Sequence, residues 1–145
     1  MSSQVRNETM AALAQDPADA ETRRLFETID AMDAAGLAAR FTPDGSFRFG
    51  NAEPAVGREA IQEAVGGFFA AIGGLRHRVV GVWAGGWELG AVKSVEAEVT
   101  YTRKDGSQTP PLPVTSTLRL RGDLIHDYRI FMDVSPLFGG GNGQG

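Results

Sequence analysis

The stretch Leu124 to Val134, LIHDYRIFMDV, followed at once by Ser135-Pro136-Leu137-Phe138, decides how the chain is read. Tyr128, Ile130 and Met132 alternate with Asp127, Arg129 and Asp133, the two-residue period of a strand with one buried face. So long a strand, so late in the chain, needs partners already laid down. Residues 75–84, 91–103 and 112–121 share its β-rich character. Gly85-Gly86, Lys104-Asp105-Gly106 and Arg121-Gly122-Asp123 fall between them as hairpin turns. The last part of the chain therefore predicts an antiparallel meander whose buried face looks into a core or a pocket.

Ahead of the meander the apolar spacing becomes helical. Residues 3–15 suit a short helix ending where Asp16 meets Pro17, because the residue before a proline avoids the α region. A second helix starts there, with Asp16 as N-cap, Pro17 at the first helical position and Asp19 in the first turn. Leu25, Phe26, Ile29 and Met32 give it an inner face. Asp33 and Gly36 interrupt it, Leu37 to Phe41 add a further turn or two, and Pro43-Asp44-Gly45 turns the chain into a short strand at 46–50. A third helix carries the stripe Ile61, Val65, Phe68, Phe69 and Ile72 and stops at Gly73-Gly74. Helices first and strands after point to an α+β fold, with helices on one face of a curved sheet and a hollow beneath it.

The bulk numbers narrow the function. A chain of 145 residues is the size of one domain. We divide it into an N-terminal helix or extension (1–16), the domain itself (17–138) and a flexible Gly-rich tail (139–145, GGGNGQG). With no cysteine, disulfides, thiol catalysis and thiolate metal sites are excluded. Fourteen basic against 18 acidic residues, a net charge of -4, argue against a nucleic-acid or anionic-membrane partner. There is no apolar run long enough to span a bilayer, and MSSQVRNETM lacks the features of a signal peptide, so a cytoplasmic location is expected. The expected partner is uncharged or small.

Few residues offer chemistry. His77 stands early in the first long strand, on the side of Val79, Gly81 and Trp83 if alternation holds; it is either a structural histidine at a strand end or a general acid/base in a pocket. Asp30, next to Ile29 on the inner helix, is placed to orient an imidazole, or is an exposed helix carboxylate. Glu96 and Glu98 alternate with Val95, Ala97, Val99 and Tyr101, which sends the glutamates outward. A one-residue difference in the Lys104 to Gln108 loop would instead turn Glu98, Thr100 and Thr102 inward. Tyr128 is either core or a phenol offered to a ligand oxygen. His126, beside a turn, reads as a surface residue. No metal-ligand spacing and no glycine-rich phosphate loop is present.

Five stretches in this order resemble the SnoaL-like proteins of the nuclear transport factor 2 superfamily over about residues 18–138. They are Asp30-Ala31-Met32-Asp33, Phe41-Thr42-Pro43-Asp44-Gly45, Val56-Gly57-Arg58-Glu59-Ala60-Ile61, Arg76-His77-Arg78-Val79 and Tyr128 to Phe138. The resemblance implies a strongly curved antiparallel or mixed sheet wrapped around about three N-terminal helices. This is a cone with an internal apolar pocket, paired as a homodimer through the outer face of the sheet. The superfamily includes steroid isomerases, epoxide hydrolases, polyketide cyclases, scytalone dehydratase and non-catalytic binding domains, so the resemblance does not fix a reaction. Where ketosteroid isomerases carry their base aspartate this chain has Phe49, and their oxyanion tyrosine and acid positions fall at Leu25 and Ser116. Against limonene epoxide hydrolase, Glu98 matches one carboxylate while Glu96 replaces the arginine and Ile130 the second carboxylate. Against scytalone dehydratase, Asp30 and His77 match an aspartate and a strand histidine, and a second histidine falls at Thr102. The expectation is a pocket in which His77 exchanges a proton and Asp30 holds its tautomer. Tyr128 and Thr102 polarise an oxygen there, and Phe26, Phe49, Trp83, Ser116, Ile130 and Met132, with Glu98 and Thr100, form the walls. Dehydration, isomerisation or cyclisation of a polyketide-, terpene- or steroid-like compound would need no cofactor. The alternative is a non-catalytic ligand-binding or dimerisation domain.

Overall fold

A computed structural model describes residues 18–138. The helix expected over 3–15, the Asp16 cap with Pro17 and the 139–145 tail lie outside them. Within them the chain runs α1 (Ala20–Asp30), α2 (Ala34–Ala38), β1 (Phe41–Phe49), β2 (Ala55–Val56), α3 (Arg58–Ala70), β3 (Gly74–Trp87), β4 (Gly90–Thr102), β5 (Leu112–Arg121), β6 (Leu124–Phe131) and α4 (Ser135–Phe138). The strands form one open sheet in the order β2-β1-β6-β5-β4-β3, antiparallel throughout except where β1 runs parallel to β6. The expected α+β class is present; the second and third expected helices appear as α1 and α3, and the further turn or two expected at 37–41 is the short helix α2.

The cap of α1 is Asp19, not Asp16. Its carboxylate accepts from the Thr22 backbone N–H at 2.7 Å and from Lys93 Nζ of β4 at 2.8 Å, tying the helix start to the sheet. Leu25, Phe26 and Ile29 then turn inward. The helix ends in a Schellman arrangement: Met32 donates its backbone N–H to Ile29 and Asp33 donates to Thr28, with Met32 itself at φ 56°. Met32 therefore lies beyond the helix rather than on its inner face, in a left-handed conformation that costs a non-glycine residue about 1 kcal/mol or more. Its side chain offsets that cost by packing against both halves of the core. Asp33, expected only to interrupt the helix, caps α2 through the Gly36 N–H at 2.9 Å.

Three irregularities bend the sheet over these helices. In β1, which begins at Phe41 rather than at 46, the pairing with β6 shifts between Phe41 and Ser46. Pro43 has no N–H to donate and is accommodated in that bulge instead of making a turn. In β6, His126 is the extra residue between the Leu120–Ile125 and Arg119–Asp127 pairs. In β3, Val80 is the extra residue between the Val79–Ala97 and Gly81–Glu96 pairs. Such bulges bend a strand and reverse its alternation. Hence Val79 and Val82 pack on the core, while Val80 and Trp83 are 43% and 57% exposed. Gly85-Gly86 does not turn the chain; β3 continues to Trp87, and Glu88-Leu89 forms the hairpin to Gly90.

The buried side chains fall into two clusters. One joins α1, α2 and α3 to β1 and β6 around Phe41, Ile61, Val65 and Tyr128. The other gathers Ile72, Val99, Tyr101, Leu112, Val114 and Leu137 beneath β4, β5 and the C-terminal turn. Between them the helices do not fill the concave face. Among the described residues no helix is long and apolar enough to cross a membrane.

The Asp19 cap gives a stability test. Burial alone would push its carboxyl up, but the bonds from Lys93 and Thr22 outweigh it and bring the pKa down to about 2 from 3.8. A folded-state pKa below the unfolded one stabilises the protein fully above 3.8 and loses that contribution as pH falls through about 2. Asp19→Ala is expected to cost about 1 kcal/mol in urea unfolding at neutral pH. The gap from wild type should narrow as the same measurement is taken to acid.

Candidate functional site

Among the described residues the sheet ends at β3, whose outer edge faces no strand. An edge strand leaves backbone N–H groups without ladder partners, and at His77 the last residue of α1 supplies one. Asp30 Oδ2 accepts the His77 backbone N–H at 2.9 Å, and Asp30 Oδ1 meets His77 Nδ1 at 2.7 Å. An ionised carboxylate can only accept, so Nδ1 carries the proton and donates it. Nε2 is then the lone-pair nitrogen of the neutral ring. The His77 side chain is 9% exposed and Asp30 24%. Phe26 backs the imidazole, with ring centroids 4.8 Å apart.

On its other side His77 lines a cavity of about 300 Å³ between the two core clusters. Phe47, Phe49, Phe68, Ile130 and Met132 are among the side chains of its wall, and exposed Ala52 and Glu53 of the β1–β2 loop line it too. Three hydroxyls interrupt the apolar lining, those of Tyr128, Ser116 and Tyr101. Burial pushes the Tyr128 phenol well above the ordinary tyrosine value; the Ser116 hydroxyl bonded to it pulls the other way, and the Asp30 charge adds to the rise. Burial raises Tyr101 too, with Tyr128 and Asp30 contributing. Both phenols are therefore held protonated and act as hydrogen-bond donors. A narrower cleft lies behind the histidine, lined by Arg23, Phe26, Glu27, Asp30 and Val79. Asp30 reaches solvent there while His77 faces the cavity.

Several expected residues meet at this place and others do not. His77, Tyr128, Phe49, Ser116, Ile130 and Met132 line the cavity; Asp30 and Phe26 stand immediately behind the histidine. Trp83 is outside, turned over by the Val80 bulge. Glu98 lies on the outer face, where Arg78 Nη2 bonds its Oε1 at 2.7 Å across the β3–β4 ladder. Thr100 pairs with Arg76 on that same face, and Thr102 pairs with Gly74 and accepts from Gln108. The β3–β4 register, with Val99 opposite His77, thus settles the alternatives in favour of simple alternation. His126 is not a plain surface residue: its ring stacks on Trp87 at 5.4 Å and its Nδ1 lies 3.4 Å from Thr42 Oγ1. Tyr101 was read only as an inward apolar residue. Its inward position was legible from the Val95, Ala97, Val99 alternation; its hydroxyl on the cavity wall was not. Among the described residues no group of His, Asp or Glu side chains is arranged to hold a metal ion.

A family model for the SnoaL-like domain matches residues 22–128. The chain belongs to the SnoaL-like family. Solved structures share the fold at low identity. A Catenulispora acidiphila protein with a ketosteroid isomerase-like fold, solved with trimethylamine, is 18% identical at a TM-score of 0.69, over 81% of this chain and 88% of that one. The ActVI-ORFA protein of Streptomyces coelicolor is 23% identical at a TM-score of 0.62, over 78% and 92%. A SnoaL-like polyketide cyclase, so described, from a Jannaschia species is 19% identical at 0.63, over 81% and 85%. No curated protein sequence matches. These likenesses establish the architecture, and the chemistry has to be argued from the site.

The geometry makes two spectroscopic predictions. In ¹⁵N NMR the neutral His77 ring should show a protonated Nδ1 and a lone pair on Nε2, and Asp30→Asn should shift that ratio toward the Nε2–H tautomer. The chain has two tyrosines, both buried. An alkaline titration followed by phenolate absorbance should therefore show no ionisation near 10.0, the ordinary value. Because the folded pKa values are the higher ones, the unfolded state loses protons first and stability falls as pH rises above 10.0. The phenolate band should appear together with loss of structure.

Proposed function

We propose that this protein takes a small, largely apolar molecule into the cavity and moves a proton on it, with His77 as the general acid/base. The observation that carries this reading is the Asp30–His77 pair. A nine-tenths-buried imidazole is held at both its backbone and its Nδ1 by one carboxylate, at the wall of a mostly apolar cavity. Fixing the tautomer leaves Nε2 as the single basic nitrogen for a substrate proton. As that proton arrives, the Asp30 charge stabilises the imidazolium without itself needing to accept it. Asp30 is a positioning residue here, and Tyr128 with Ser116 forms a donor pair beside it for a substrate oxygen.

Isomerisation, dehydration or cyclisation of a carbonyl compound each begins with removal of a proton next to a carbonyl, and this constellation suits that step. The apolar wall raises the worth of each hydrogen bond inside by excluding water. The polyketide cyclase description of one structural relative agrees with this class of chemistry.

A test needs no knowledge of the natural substrate. β-Tetralone is an apolar bicyclic ketone with acidic C–H bonds next to its carbonyl. In D₂O the wild type should accelerate its deuterium uptake. His77→Ala should lose about a hundredfold or more of that acceleration, and Asp30→Asn a smaller part, while both still bind the ketone in calorimetry. Binding with no accelerated exchange in the wild type would make the protein a carrier and remove the catalytic reading.

A further inference from the structure

Tyr101 is a donor in this cavity whose backbone and ring are firmly held while its hydroxyl has only a weak partner. Its backbone is pinned from both sides by Thr109, whose hydroxyl accepts the Tyr101 N–H at 3.1 Å and whose own N–H donates to the Tyr101 carbonyl at 3.0 Å. Phe68 packs edge-on against its ring with centroids 5.8 Å apart. The residue is 2% exposed. Among the described residues its hydroxyl, by contrast, reaches only Met132 Sδ, at 3.6 Å. A thioether is a weak acceptor, and a buried O–H left on one forgoes most of what a carbonyl oxygen would return. The other phenol, Tyr128, already has the Ser116 hydroxyl.

We infer that Tyr101 is the specificity-determining residue of the cavity: its hydroxyl leaves Met132 and donates to an acceptor oxygen, a ketone or ester carbonyl, of the bound molecule. The inference rests on the reading of the cavity as a binding site for a small apolar molecule, and not on His77 being catalytic. The polarity of the two ends is complementary. Tyr101 offers a proton, whereas the neutral His77 ring presents a lone pair, so the molecule that satisfies both is an uncharged carbonyl compound with an acidic O–H or C–H elsewhere on its frame. Met132 follows the last residue of β6, and its unbranched side chain can swing aside without disturbing the ladder. The turn that follows it is fixed independently, by Arg103 donating to the carbonyls of Pro136 and Leu137.

The experiment compares β-tetralone with tetralin, the same frame with the carbonyl replaced by CH₂, by calorimetry on wild type, Tyr101→Phe and Met132→Leu. The wild type should prefer the ketone about three- to tenfold, the worth of one hydrogen bond. Tyr101→Phe should erase the preference and leave tetralin affinity unchanged. Met132→Leu, which removes the competing acceptor, should keep or enlarge it. The infrared carbonyl band of bound β-tetralone should shift to lower frequency in the wild type and return toward its value in hydrocarbon in Tyr101→Phe, a change that mere repacking does not produce. A ketone preference and band shift that survive in Tyr101→Phe overturn the assignment while leaving the cavity reading intact. If neither compound binds the wild type, the cavity reading itself fails and the assignment with it.

Discussion

The unpaired edge of β3 constrains everything near it. At His77 the backbone N–H points away from β4 and toward the helices, and in a half-buried position it needs an acceptor. Asp30 provides it, and the same carboxylate takes the imidazole Nδ1. This is an uncomfortable place for a negative charge, because the C-terminal end of a helix carries the negative pole of its dipole and the last turn of α1 holds no basic side chain. The backbone beside it is also strained, with Met32 left-handed at φ 56° to close the helix at that residue. Two unfavourable choices at one joint are tolerated because the two hydrogen bonds to His77 are charge-assisted, each worth about 1.5–3 kcal/mol. The docking of α1 on the sheet edge and the orientation of the imidazole are thus one interaction.

The cavity follows from the same geometry. Bulges at Val80, His126 and the Pro43 region curve the sheet, and short helices cannot fill a concave face of that length. The core accordingly divides, with Phe68, Leu75, Ile130 and Met32 touching both halves. Buried hydroxyls gather along the seam because the walls there meet open space rather than side chains. Among the described residues Tyr128 has the Ser116 hydroxyl beside it, whereas the Tyr101 hydroxyl meets a sulfur, a weak acceptor that a ligand oxygen can replace.

The alternation of β6 was readable, and it placed Tyr128, Ile130 and Met132 correctly, because a hydrophobic face of period two has one register that buries it. The strand bearing His77 was misread past Val79: an inserted residue leaves no composition signal, so Trp83 was sent inward when Val82 takes that side. Glu98 was ambiguous for a related reason, since only the pairing with Arg78 reveals the register. His77 was singled out by its place in the first long strand and Asp30 by its place beside Ile29 on the inner helix, and the resemblance matched both to a known pair; no local pattern joins residues 47 apart. The Asp19 cap was missed because Asp16-Pro17 is the stronger local signal and the Lys93 contact that favours Asp19 comes from another strand.

Membership in the SnoaL-like family leaves the reaction open, and the lining of this cavity narrows it. Phe49 and Ile130 line it with hydrocarbon and can neither hold nor move a proton. Both phenols are held protonated, and Glu53 is exposed. His77 Nε2 is the basic nitrogen on the cavity wall. Under the proposed function, a reaction completed inside this cavity would have the proton that Nε2 removes returned by the same nitrogen, on the face of the substrate that His77 covers. That favours a transfer between neighbouring positions of one molecule, or loss of a leaving group from that face, over any step that needs a separate acid on the opposite wall.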